Sequence, residues 1–248
     1  MNIDNHLSDR DDFPFYNDKP VAIHPRQWLL LVLSVIAGFA ALIIPVPFFA
    51  TQFGQFIPAI LFFAIPLFCL AQIAPFHWRA IFRPLSFTHL KWMIGIGLLN
   101  IVVSILVGLV VFKVFGANPN QAMAQLSEMS NAERVLFYLK TLPQLFGEEV
   151  FTILPFLALM YVFYSRCHLS RTHSILLAWV LTAIFFGIAH LPTYDWNIIQ
   201  CLLVIGTARL VLSLAYLKTK SIWVSTGAHI FNDWVLFSLT VFLGMPAP

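Results

Sequence analysis

The stretch FGEEVFTILPF, residues 146–156, places two adjacent glutamates in a run that is otherwise almost entirely apolar. Insertion of an ionisable side chain at the centre of a membrane helix costs about 2.5–3.5 kcal/mol for Asp, Lys or Arg. A chain that keeps Glu148 and Glu149 in such a run therefore indicates a functional site, provided that both face the interior of a helix bundle.

The composition of the whole chain agrees with a membrane location. Of its 248 residues, 60% are hydrophobic and only 10% are charged, whereas soluble domains carry about 25% charged residues. The mean hydropathy is +0.84. These values exclude an ordinary soluble protein. The three cysteines show no paired spacing, so we expect neither a disulfide framework nor a zinc–thiolate site.

Long continuous apolar runs predict an all-α, polytopic membrane helix bundle. A spanning helix needs about 20 mostly apolar residues, and closed barrels alternate apolar and polar residues instead. We predict seven spans, or eight if the long fourth run divides into an interfacial helix and a span. The runs cover residues 28–49, 53–75, 92–115, 135–165, 174–190, 197–217 and 221–244.

The chain divides into a short polar tail, residues 1–26, and a single transmembrane domain, residues 27–248. We expect the tail to be mostly disordered and its Asp9, Asp11 and Asp12 to be solvated. Basic residues alternate regularly between loops, which predicts a cytoplasmic N-terminus. The short tail and compact loops favour a bacterial inner membrane. We expect the bilayer and a peptide or protein substrate as partners, and no nucleic acid.

Further polar residues interrupt the later spans. His190 ends the fifth, Arg209 lies near the middle of the sixth, and His229, Asn232 and Asp233 lie in the last. His229 and Asp233 are four residues apart and share one helix face. Any one of these could be a hydrogen-bonded packing residue. Together with the glutamates they are the residue types that activate water, with a carboxylate as base and imidazoles as metal ligands or oxyanion donors.

Three segments in this order resemble the CPBP family of intramembrane endopeptidases, which includes CAAX prenyl endopeptidases and bacterial Abi-type proteins. The family motifs are EExxxR, FxxxH and HxxxN/D. They are matched here by the glutamates of EEVFTI (148–153), by FGIAH (186–190) and by HIFND (229–233). The motif-bearing core covers roughly residues 130–240. The resemblance implies a membrane protease.

Residue by residue, the resemblance implies Glu148 as the base that activates water and Glu149 as its support. It implies His190 and His229 as metal ligands or oxyanion donors, with Asp233 completing the polar face. Phe186 and Asn232 are supporting motif residues. Zinc is a candidate cofactor, with Glu148, His190 and His229 as its ligands, although the helix motif HExxH is absent.

One motif position departs from the family. The arginine of EExxxR is Ile153 here, and Arg209 is the candidate to replace its charge. The loss leaves two alternatives to a protease: a catalytically inactive membrane immunity or scaffold protein that binds a peptide, and a small proton-coupled transporter. Counting about 1.5 Å per residue from the basic ends of the spans also places His229 much shallower than Glu148, a mismatch that tilt or an earlier helix start would have to close.

Overall fold

A computed structural model describes residues 12–243, and all of the regular secondary structure in this range is helical. The predicted fold class is confirmed. Its eight helices are α1 (Pro25–Ile43), α2 (Phe56–Ile73), α3 (Phe87–Phe115), α4 (Gln121–Glu128), α5 (Asn131–Tyr161), α6 (Arg171–Ala189), α7 (Ile198–Thr219) and α8 (Ile222–Leu243). A π-helical turn, Val162–Arg166, continues α5, and another, Cys201–Ile205, lies within α7.

Six of these helices are long and apolar enough to cross a membrane: α1, α2, α3, α5 with its π-turn, α6 and α7. The chain is thus an integral membrane protein. Helix α8 has 22 residues and sufficient length for a seventh crossing, but it carries the polar residues His229, Asn232 and Asp233. The fourth apolar run is one continuous helix rather than an interfacial helix followed by a span. The side on which the N-terminus lies remains a prediction.

Helix α5 is the central element of the bundle. In its most apolar 18-residue window 83% of residues are buried, against 22–39% in the other candidate spans. It packs against α1, α2, α6 and α8. Its start is fixed by Ser130, whose hydroxyl accepts from the amide of Glu133 while the Glu133 carboxylate accepts from Ser130. A helix that is surrounded by other helices on most sides can hold polar groups away from lipid. Both glutamates lie on this helix.

Helices α6 and α7 approach each other closely at Gly187. A Cβ there would lie 2.6 Å from the carbonyl oxygen of Cys201, at the start of the π-turn of α7. Only glycine permits this distance. The contact brings the C-terminal end of α6, with Phe186 and His190, against the helix that carries Arg209.

The prediction of a disordered tail is wrong for residues 12–24. Phe13, Phe15, Tyr16 and Ile23 are at most 4% exposed and belong to the main hydrophobic core. These apolar residues are separated by polar ones and form no continuous apolar run, so the sequence pattern did not predict that they are buried. Asp9 and Asp11 lie outside the described residues.

Asp12 is not a freely solvated carboxylate but anchors this segment. Its Oδ1 accepts from Arg171 Nη2 at 2.5 Å, and its Oδ2 accepts from the Tyr16 hydroxyl at 2.7 Å. The guanidinium of Arg83 donates to its backbone carbonyl. Burial raises the pKa of Asp12, but the hydrogen bonds from Arg171 and Tyr16 lower this pKa by more, so it lies below its usual value.

A pH dependence of segment docking follows. Because the folded-state pKa of Asp12 is lowered, its stabilisation is complete above the unfolded-state pKa of about 3.9 and is lost as pH falls through the folded value. Protection of residues 13–24 from hydrogen–deuterium exchange, measured relative to an unstructured chain at each pH, should be higher in wild type than in Asp12→Asn from pH 5 to 8. The difference between the two proteins should shrink as the pH falls below about 4. Asp18→Asn, at an exposed position, is the control; an equal effect from it would contradict the anchor role.

Candidate active site

The two adjacent glutamates of α5 have different surroundings. Neighbouring positions on a helix point about 100° apart, so one can face a cavity while the other faces packed neighbours. The Glu149 side chain is 1% exposed, and that of Glu148 is 12% exposed and lines a cavity. This difference separates the roles that the two carboxylates can take.

Glu149 is held by two partners from other helices. Its Oε1 accepts from Arg209 Nη1 at 2.7 Å and from His229 Nδ1 at 2.8 Å. The Arg209 side chain is itself 1% exposed. Ile153, at the motif position of the missing arginine, is buried in the apolar core. In the family motif the arginine would lie on α5 itself. In this chain Arg209 of α7 supplies the positive charge beside Glu149.

His229 connects the two glutamates. Because the ionised Glu149 carboxylate can only accept, His229 Nδ1 carries the proton of that hydrogen bond. Its Nε2 lies 3.7 Å from Glu148 Oε2 and 3.6 Å from Asp233 Oδ1. Both distances are too long for direct hydrogen bonds, and both are short enough for a water molecule or a substrate atom to bridge.

A chain of amides holds the other side of this polar face. Asn232 Nδ2 donates to Asp233 Oδ1 at 2.8 Å, and Asn100 Nδ2 donates to Asn232 Oδ1 at 3.0 Å. Asn100 lies on α3 and is fully buried. Asn100 was not among the predicted site residues, although an amide within a long apolar helix is a signal that could have identified it.

His190 ends α6 and is oriented by its own helix. Its Nδ1 lies 2.8 Å from the carbonyl oxygen of Phe186, so this nitrogen carries a proton and donates. The ring centroids of Phe186 and His190 are 4.5 Å apart, and the guanidinium carbon of Arg209 lies 5.0 Å from the Phe186 ring centroid. Phe186 therefore packs between His190 and the Arg209–Glu149 pair.

These residues line one polar cavity of about 270 Å³ inside the bundle. Its walls include Glu148, His190, Arg209, His229, Asn232 and Asp233. All of the predicted site residues are therefore together: Glu149 is buried behind the cavity, and Phe186 contributes to its wall. The mismatch in depth does not hold, because His229 Nδ1 lies 2.8 Å from Glu149 Oε1 and its Nε2 lies 3.7 Å from Glu148 Oε2.

A second, more apolar cavity of about 680 Å³ adjoins the first. The two share Glu148 and His190 as lining residues, together with Lys140, Gln144, Phe186 and Thr193. Most of its other walls are apolar residues of α1, α2 and the chain between them. Gln144 Nε2 donates to Glu148 Oε1 at 3.4 Å. Lys140 and Gln144 were missed, although they lie eight and four residues before Glu148, a spacing that places all three on one face of α5.

The predicted zinc ligands are Glu148, His190 and His229. Both histidines carry their Nδ1 proton toward an acceptor, as metal-bound histidines do. However, no group of three or more His, Cys, Asp and Glu side chains within residues 12–243 is arranged to hold a metal ion. As placed, Glu148, His190 and His229 do not fit a zinc site, and the steps proposed below use no metal. Zinc binding itself remains an untested prediction.

Comparison with known proteins gives one match. The family model described as type II CAAX prenyl endopeptidase Rce1-like matches residues 130–235. These residues are similar to that family. The match confirms the resemblance drawn from the three motifs. Residues 130–235 include Glu148, Glu149, His190, Arg209, His229, Asn232 and Asp233, but not Asn100. Searches of curated proteins and of solved structures each found no match.

Proposed function

We propose that this chain is an intramembrane endopeptidase in which Glu148 activates the attacking water. One observation carries the proposal: Glu148 and His190 line both the polar interior cavity and the apolar cavity beside it. A base at such a junction can meet a peptide bond delivered from the apolar side and a water molecule held on the polar side. The match of residues 130–235 to a family of endopeptidases supports the same chemistry.

The proposed reaction needs no covalent intermediate. A water molecule beside Glu148 loses a proton to that carboxylate as its oxygen bonds to the scissile carbonyl carbon. The carbonyl oxygen becomes an oxyanion. When the tetrahedral intermediate collapses, the C–N bond breaks and Glu148 returns the proton to the leaving amine. The products are a carboxylic acid and an amine, and Glu148 regains its ionised state.

The histidines take separate supporting roles. Since His190 donates through Nδ1 to a backbone carbonyl, the Nε2 of its neutral ring is an acceptor and can orient the water beside Glu148. His229 donates through Nδ1 to Glu149, and a second proton at Nε2 makes it a donor toward the oxyanion. Asp233, 3.6 Å from that nitrogen, supports the positive charge. Arg209 and Glu149 hold His229 in position from behind.

We propose a lipidated peptide as the substrate class, and the apolar cavity supports this. The matching family model is described as a prenyl endopeptidase, and a peptide that carries an isoprenoid chain could bury that chain among the apolar walls of α1 and α2. Its peptide portion would then lie near Glu148. The inactive-relative hypothesis was based on Ile153. The Arg209–Glu149 ion pair supports an active enzyme instead, because Arg209 supplies a cation beside Glu149.

The test is cleavage by the purified protein in phospholipid vesicles. We expect a peptide with a farnesylated cysteine near its C-terminus to be cleaved, and the same peptide without the lipid to be cleaved at least about tenfold more slowly, because only the first is held at the apolar cavity. Mass spectrometry of the products identifies the bond. Equal rates would reject the isoprenoid preference, and no cleavage of either peptide would contradict the protease.

Metal dependence is tested in the same assay. Because the side chains do not form a metal site, we expect cleavage to survive chelator treatment at an unchanged rate and elemental analysis to find less than one zinc per chain. Stoichiometric zinc in the wild type that is lost in His229→Ala, together with activity lost on chelation and restored by zinc, would contradict this expectation.

A further inference from the structure

A separate groove of about 570 Å³ lies between α1, the end of α5 and α6. Its walls are mainly aliphatic and aromatic side chains from these three helices. The hydroxyl of Thr182 on its wall is satisfied, because it donates to the backbone carbonyls of Ala178 and Trp179. Arg166 is the cationic side chain that lines it. The groove is thus mainly apolar, with one positive charge at Arg166.

The groove opens toward the bilayer. All three helices that form it are candidate membrane spans. Leu29 on one rim is 61% exposed and Val162 on the other is 41% exposed. Apolar side chains exposed on membrane-spanning helices face lipid. Hydrocarbon from the membrane is therefore the material that fills this groove.

The length of the groove corresponds to one leaflet. Along α1 it runs from Pro25 to Ile36, and at 1.5 Å per residue this is about 16 Å. Half of a hydrocarbon core of about 30 Å is about 15 Å. The groove therefore reaches from the end of the bundle where α1 begins and α5 ends to about the middle of the membrane, as one acyl chain does.

The cationic residue lies at the membrane surface end of the groove. Arg166 closes the π-helical turn after α5, and its side chain is exposed. Within residues 12–243 its guanidinium makes no side-chain hydrogen bond and no ion pair. Beside it, the ring of Trp28 stacks on Tyr161 with centroids 5.5 Å apart, which makes a rigid wall. Small side chains at Pro155 and Ala158 leave the floor of the groove open.

We propose that this groove is a binding site for one anionic phospholipid, with an acyl chain along α1 and the phosphate group on Arg166. The charge at one end and the apolar surface over the remaining length match the two parts of that ligand. Guanidinium groups bind phosphate by short, charge-assisted hydrogen bonds. This site is distinct from the cavity at Glu148, and its occupancy does not depend on the proposed peptidase activity.

The test is native mass spectrometry of the delipidated protein titrated with phosphatidylglycerol or with phosphatidylcholine. We expect one phosphatidylglycerol to bind about tenfold more tightly than phosphatidylcholine. Arg166→Gln should remove this preference by weakening phosphatidylglycerol binding more than phosphatidylcholine binding, because both lipids carry a phosphate but only phosphatidylglycerol carries a net negative charge. Val162→Trp, which fills the groove from its exposed rim, should weaken binding of both lipids at the single tight site.

Matched substitutions outside the groove are the controls. Lys91→Gln removes an exposed charge at the start of α3, and Val110→Trp adds the same bulk to a lipid-facing position of α3. Both should bind phosphatidylglycerol as wild type does. A preference that persists in Arg166→Gln, or that falls equally in Lys91→Gln, would overturn the site. So would a dimer that is disrupted by Val162→Trp, because a second copy would then fill the groove.

Discussion

Arg209→Met is expected to lower the free energy of unfolding by about 3–5 kcal/mol, because it leaves the carboxylate of Glu149 buried without its cation. Arg209 and Glu149 are each 1% exposed and their closest atoms are 2.7 Å apart. His229 would then be the remaining hydrogen-bond donor to the Glu149 carboxylate. In a thermal unfolding measurement in detergent the change should lower Tm by roughly 10 °C. Arg79→Met, at an exposed position, should change Tm little.

The charge should be transferable to the motif position. Ile153 lies one helical turn after Glu149, so an arginine there can reach the same carboxylate from α5. We expect Ile153→Arg to restore most of the Tm lost in Arg209→Met. The same arginine added to the wild-type chain should destabilise it, because it would bury a second cation. If the double variant is no more stable than Arg209→Met, Arg209 does not take the place of the motif arginine.

Glu148→Gln should have the largest effect on activity. Glutamine has the size of glutamate and can still lie at the junction of the two cavities, but it cannot take a proton from water. General-base catalysis contributes about 10²–10⁴-fold, so we expect kcat to fall by about 10³-fold. Tm should remain close to the wild-type value, because Glu148 is not part of the ion pair with Arg209.

Two further variants serve as comparisons for Glu148→Gln. Glu148→Asp keeps the base and shortens its reach, so it should retain more activity than Glu148→Gln. Glu128→Gln removes a carboxylate from an exposed position of α4 and should cleave as wild type does. Substantial activity in Glu148→Gln would assign the base to another residue, and Asp233 would be the next to substitute.

The apolar runs and the three short motifs sufficed to predict the membrane bundle and the residues that meet in it. This signal is strong because ionisable groups are rare in membrane helices. Glu148, His190 and His229 can therefore each be identified from the sequence as candidate site residues. Arg209 stood out in the same way. Its pairing with Glu149 depends on how α7 packs against α5, which no spacing within one helix encodes.

Other features were beyond the sequence pattern for identifiable reasons. The buried aromatic residues Phe13, Phe15 and Tyr16 lie among polar neighbours, so their segment reads as a solvated tail. The depth of His229 relative to Glu149 was wrong, since the two side chains are in contact at 2.8 Å, because a residue count along single spans does not include how the spans pack. Asn100 joins the cavity only through Asn232 of α8, and one amide in a long apolar helix gives no indication of its partner.

The central claim is that the two adjacent glutamates have separate roles. Glu148 activates the water, and Glu149 holds Arg209 and His229 in position. The most direct test measures kcat on the farnesylated peptide and Tm for Glu148→Gln and Glu149→Gln side by side. We expect Glu148→Gln to lose cleavage at nearly unchanged Tm, and Glu149→Gln to lose Tm because Arg209 becomes a buried, unpaired cation. A stable, inactive Glu149→Gln beside an active Glu148→Gln would contradict the account.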